Sequence, residues 1–133
     1  MCIRDSYKPV GQGDDVPTAP VTVAVSLADK LDTLIAFFYA GMPPTGSKDP
    51  FALRRAALGV IDLITRNALR LGIWEAIARG LAGLTSERCY PDMPDGAYDA
   101  HQVGMKLAFA SLPDFFADRL KVCLLYTSDA ADE

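Results

Sequence analysis

Apolar residues recur at spacings of three and four through most of the chain, the period of a helix with one buried face. Over Val21 to Ala40 the stripe is Val23, Leu27, Leu31, Leu34 and Phe38, widened by Ala24, Ala28, Ile35 and Phe37. This pattern predicts a largely buried helix. Its β-branched opening, Val21-Thr22-Val23, is weak helix material and argues for a later start. Gly41, followed by Pro43 and Pro44, predicts a left-handed stop. Asp49-Pro50 then supplies an N-cap aspartate and a proline for the first helical position. The second stripe is Leu53, Ala56, Ala57, Val60, Ile61 and Ile64, with Arg54, Asp62 and Arg66 away from it. Ala56, Ala57 and Gly59 are small enough to let the two helices approach closely. The second helix is expected to fade between Asn67 and Gly72.

Ile73 to Leu84 predicts a third, shorter helix, with Ile73, Trp74, Ile77, Ala78 and Leu81 on its face and Gly80 and Gly83 weakening its end. Trp74 in this setting is expected to pack rather than to offer a platform for a base. A polar loop is expected from Thr85 to Tyr98, a helix from Asp99 to Ala110, and a last helix from Pro113 to Val122. In that last helix Phe115, Phe116 and Leu120 should face inward and Arg119 and Lys121 outward. Tyr7 to Pro20, punctuated by Pro9, Gly11, Gly13, Pro17 and Pro20, reads as loop, and its Asp14-Asp15 pair as solvated. No convincing period-two run and no internal repeat appear. The class is therefore all-α, a helical bundle.

The two termini change the composition. Met1 to Ser6 can be encoded by ATG TGT ATA AGA GAC AGN, and the opposite strand of that DNA can encode Cys123 to Thr127. Both ends therefore read as one inverted DNA element resembling a sequencing-library adapter, with residues 1–6 and 123–133 adapter-derived and outside fold reasoning. Without Asp5, Asp129, Asp132, Glu133 and Arg4, 13 acidic and 12 basic residues remain, so the formal charge of −4 shrinks to about −1. Of three cysteines only Cys89 is left, which is neither a disulfide framework nor a metal site and suits a reducing, cytosolic setting. No apolar run approaches the ~18 residues of a membrane span.

Candidate chemistry gathers between Ser26 and Gly59. Asp29 and Asp32 lie three apart on one side of the first helix. A carboxylate in so apolar a helix calls for a metal ion or an arginine, and Arg54 or Arg55 could reach inward to serve. Thr45-Gly46-Ser47-Lys48 invites a phosphate-loop reading, but G-x-x-x-x-G-K-[ST] is absent and no strand precedes it. A Ser/Lys pair beside a helix start can still hold a phosphate. His101 is the sole histidine, which argues against a complete metal site.

The run PVTVAVSLADKLDTLIAFFYAGMPPTGSKDPFALRRAALGVI resembles the β subunit of the bacterial heterotetrameric glycine–tRNA ligase. YKPVGQGDDVPTAP before it, and NALRLGIWEAI and DFFADRLKV after it, are similar to the same family in the same order. The resemblance implies that residues 7–72 are the C-terminal part of an HD-like helical domain and residues 73–122 the helices that follow. Leu27-Ala28-Asp29-Lys30-Leu31 is similar to the helix bearing the final HD aspartate, which makes Asp29 its counterpart. The histidine and His-Asp elements of the HD pattern would lie before Tyr7, so no metal is expected on this segment. The family's adenylate chemistry, with ATP and Mg, belongs to its α subunit, so no catalytic residue and no cofactor are expected here. The implied partners are the α subunit, in an α2β2 complex, and tRNA(Gly), in the cytoplasm and away from membranes. The phosphate-contact candidates are Lys48, Arg54 and Arg55, with Lys30 behind them. Two other readings stand beside this one: an HD-type metal-dependent phosphohydrolase using Asp29, and a purely structural helical module.

Overall fold

The computed structural model describes residues 7–9, 15–84 and 97–131. Its elements are four helices: α1 (Pro20–Tyr39), α2 (Leu53–Arg66), α3 (Ile73–Leu84) and α4 (Ala97–Ala131). Among the described residues the all-α expectation holds, the one β-type pairing being an isolated bridge between Thr45 and Lys48. Asp14 and Cys89 lie outside the described residues; Asp15 is exposed. No helix among the described residues is long and apolar enough to cross a membrane.

α1 begins at Pro20, earlier than its β-branched opening suggests. Proline at the first helical position has its φ preset, and the Val23 amide already donates to the Ala19 carbonyl at 2.9 Å. Thr22 and Val23 are both buried, so tertiary packing outweighs their weak propensity. The far end closes as the sequence predicts. Gly41 is left-handed at φ 71°. Its amide donates to the Phe38 carbonyl at 3.1 Å and the Met42 amide to the Phe37 carbonyl at 2.9 Å, the paired bonds of a Schellman stop.

α2 starts later than Asp49-Pro50 implies. Residues 49–52 form a turn, the Ala52 amide donating to the Asp49 carbonyl at 3.2 Å, and Ala52 itself is left-handed at φ 53°. Asp49 still caps the helix, but from outside it. Its carboxylate accepts the amide protons of Leu53 at 2.8 Å and Arg54 at 3.0 Å. The stop repeats the α1 geometry with a less suitable residue. Ala68 sits at φ 51°, its amide bonded to the Thr65 carbonyl at 3.3 Å and that of Leu69 to Ile64 at 2.9 Å.

α3 spans the predicted residues. α4 does not: the expected break before Pro113 is absent and one helix of 35 residues passes through it. Proline removes an amide there and crowds the preceding turn. Ala108, Leu112 and Phe116 are buried on both sides of it, so the core holds the helix together. Tyr98, expected in a loop, belongs to this helix, which runs on past Val122. Leu120 is exposed rather than inward, and the Arg119 Nε is buried without a hydrogen-bond partner rather than solvated.

α1 and α4 each pack on all three other helices, and α2 and α3 flank that pair without touching each other. One apolar cluster joins the four, with Leu34, Ile35 and Phe38 of α1, Val60 and Ile61 of α2, Ile77 and Leu81 of α3, and Ala108 and Leu112 of α4. Each large side chain among them contributes about 1.5–3 kcal/mol by leaving water. Trp74 departs from expectation. It is 58% exposed, with one face laid parallel to Phe109 at 6.3 Å between ring centres.

Candidate functional site

A short turn before α2 carries Lys48 and is hydrogen-bonded to Arg54 at the start of that helix. Thr45 and Lys48 exchange backbone bonds of 3.0 and 2.8 Å, with Gly46 left-handed at φ 53° between them. Arg54, one residue into α2, donates from its guanidinium to the Gly46 carbonyl at 2.5 Å. Arg54 thus pins the turn to the helix, while Lys48 and Arg55 are left exposed. With both Asp49 carboxylate oxygens on the first α2 amides, the helix start is occupied by the chain's own anion. Phosphate capture by those amides is therefore not what this loop offers. What it offers is the side-chain cations of Lys48 and Arg55.

The acidic pair sits differently from the expectation. Asp29 and Asp32 are both exposed, so neither is a buried charge in need of rescue. No ion pair among the described residues joins them to Arg54 or Arg55. Helical geometry gives the reason. Asp29 and Asp32 lie on the water side of α1, whereas Lys30 is on the side facing α2. No group of three His, Cys, Asp or Glu residues that could hold a metal occurs among the described residues. His101 is occupied elsewhere: its Nδ1 is 2.8 Å from the Tyr39 hydroxyl, tying α4 to α1. A cavity of about 270 Å³ does bring Asp29, Thr33 and Arg55 to one rim. Its other walls are Tyr7, Pro9, Lys30, Ala52 and Ala56. A larger, open groove of about 700 Å³ runs between α1 and α3, with Asp29, Asp32 and Arg79 on its edge. Arg79 is bound to Glu75 at 2.8 Å.

Lys30 does not stand behind the other cations as a surface contact. It is only 7% exposed, and its ammonium donates to the Tyr7 carbonyl at 2.9 Å and to the Ser26 hydroxyl at 3.1 Å. Ser26, fully buried, in turn donates a hydrogen bond from its hydroxyl to the Lys8 carbonyl at 2.5 Å. Asn67, at the end of α2, donates to the Pro17 carbonyl at 3.1 Å. The segment before α1, which the sequence marks only as loop, is thus fastened along the α1–α2 seam. The signal for this was present in the sequence as Thr22, Ser26 and Lys30, three polar residues four apart and so in line along one side of α1. On α2, Asp62 has its carboxyl held above the ordinary 3.8 by burial, an effect that Arg66 partly offsets.

The chain matches the family described as glycyl-tRNA synthetase beta subunit over residues 1–132. It belongs to that family. Among curated relatives, the glycine–tRNA ligase beta subunit of Rhodospirillum centenum is 48% identical over 122 residues, which take in 92% of this chain and 15% of the relative. That of Paracoccus denitrificans is 49% identical over 121 residues, 91% of this chain and 14% of the relative. That of Cereibacter sphaeroides reaches 64% over 67 residues, 50% of this chain and 10% of the relative. The chain therefore spans about 15% of the length of the curated relatives it matches.

Proposed function

We propose that this segment serves the β subunit of a glycine–tRNA ligase as part of its tRNA(Gly)-binding and assembly scaffold. The observation carrying this reading is the division of labour before α2. Arg54 is spent on holding the Gly46 turn, while Lys48 on that turn and Arg55 on the first turn of α2 are exposed. Two exposed cations, Lys48 on the braced turn and Arg55 on the first turn of α2, suit contact with phosphate oxygens, which position an RNA without reading its sequence. Asp29 takes the place of the final HD aspartate in a domain whose metal ligands this segment does not bring together. The phosphohydrolase reading is therefore not favoured. ATP and Mg, with the glycylation chemistry, fall to the α subunit of an α2β2 complex in the cytoplasm.

The test is tRNA(Gly) binding by the full-length subunit over a range of salt. Lys48→Ala and Arg55→Ala should each weaken binding and lower the slope of log K against log salt by about one. Arg54→Ala should weaken binding by loosening the turn. Unchanged affinity and slope in the Lys48 and Arg55 variants would sink the phosphate role.

A further inference from the structure

We propose that Lys30 is a positioning residue: it latches the segment Tyr7–Pro9 onto the α1–α2 seam, and the latched segment holds the Arg55 surface in place. The inference rests on the phosphate-contact reading of Arg55, although the latch itself does not.

Four observations converge on the seam. Lys30 is buried and its ammonium reaches a backbone carbonyl of the segment, that of Tyr7, at 2.9 Å. Ser26 joins the same ammonium to the next carbonyl, that of Lys8. Pro9 is itself buried. Gly59 of α2 makes the space. A Cβ there would stand 2.7 Å from the Lys30 Cε and 3.3 Å from the Pro9 carbonyl oxygen, so the lysine stem and the segment both run where a side chain would otherwise be. These contacts are to main-chain carbonyls. Bonds to main-chain carbonyls fix the path of the backbone itself.

The latch also builds something. Tyr7 and Pro9 form one wall of the 270 Å³ cavity, and Arg55, Ala56, Asp29 and Thr33 line the rest. Removing the segment opens that wall and frees the first turn of α2 on the side where Arg55 stands. A buried cation is costly unless its donors are satisfied, so a lysine spent here is unavailable as a surface contact. Its effect on RNA must therefore pass through position rather than charge.

The experiment uses the full-length subunit and two readouts. In Lys30→Met, the amides of Tyr7 and Lys8 (Pro9 has none) should exchange about three- to tenfold faster as the segment lifts, the scale of losing one or two hydrogen bonds, while peptides of the α1, α3 and α4 core keep their protection. Affinity for a tRNA(Gly) transcript should fall several-fold with the salt slope unchanged, in contrast to the lowered slope of Arg55→Ala. Ser26→Ala, which keeps the charge and removes the link to Lys8, should give the same exchange pattern at smaller size and decides the matter if Lys30→Met does not fold. Unchanged exchange at residues 7–9, or equal loss of protection throughout the core, overturns the latch. A lowered salt slope in Lys30→Met without faster exchange at residues 7–9 overturns the positioning role and makes Lys30 a phosphate contact. An unchanged slope and affinity in Arg55→Ala, with faster exchange at 7–9 in the Lys30 variant, would overturn the coupling to RNA and locate the failure in the Arg55 reading.

Discussion

The two ends of α1 are buried in different ways. Toward its C-terminal end Leu34, Ile35 and Phe38 enter an apolar cluster shared by all four helices. Toward its N-terminal end Thr22, Ser26 and Lys30 are buried against α2 and the segment before α1. Apolar burial is tolerant, because any side chain of suitable volume excludes water. Polar burial is exacting, because each donor must meet an acceptor at the right place. The first half of the helix thus specifies where one segment lies, and the second half supplies most of the adhesion.

That contrast can be broken most severely at Leu34, which is 0% exposed. Leu34→Ala should lower the unfolding free energy by about 2–5 kcal/mol, measured by denaturant titration. A matched pair of glycines sharpens the comparison. At Gly104 an added Cβ would lie 2.7 Å from the Tyr39 carbonyl oxygen and 2.8 Å from its ring. Backbone cannot step aside, so Gly104→Ala should cost about 1–3 kcal/mol. At Gly59 the nearest atom is the Lys30 Cε, which can shift only by loosening its bonds to Tyr7 and Ser26, so Gly59→Ala should cost less than Gly104→Ala, ~1 kcal/mol, with faster exchange at residues 7–9. Equal melting temperatures for the two variants would contradict the distinction.

Smaller changes test the helix ends and the charge on α2. Ala68 holds a left-handed conformation in the position that Gly41 fills at the end of α1. Ala68→Gly should therefore stabilise by about 0.5–1 kcal/mol, the relief of left-handed strain less the entropy of an added glycine. At Asp62, burial raises the folded-state value of the carboxyl above 3.8. A raised value means the group favours the fold while protonated and loses that contribution as pH rises through the folded value. Asp62→Asn should therefore melt higher than the parent at pH 7, and the gain should vanish as pH falls toward and below 3.8. A gain that grows on acidification would reverse the assignment.

Much of this molecule is legible in its pattern of apolar residues. The stripe through Leu34 and Phe38, the stop at Gly41 and the span of α3 follow from spacing and from glycine's freedom. Pro113 misled because a proline signal is local, whereas Ala108, Leu112 and Phe116 hold α4 to the core on both sides of it. Asp49 was recognisable as a cap, but the left-handed Ala52 that displaces the helix start has no signature in its residue type. The site was less legible. Charge drew attention to Asp29 and Asp32, yet the helical phase puts them in water and turns Lys30 inward. Lysine is so seldom buried that its residue type argued against its true place. The spacing of Ser26 and Lys30 marks the bond between them, but the other partner of Lys30 is the main-chain carbonyl of Tyr7, which no residue identity advertises.

The bond between Tyr39 and His101 has a practical consequence. This chain contains a single histidine, and it is placed where α4 meets α1. Its imidazole would give one isolated set of resonances in an NMR spectrum, shifted by the nearby tyrosine ring 5.8 Å away. The molecule therefore carries a native reporter of whether its longest helix is docked, readable without any label or substitution.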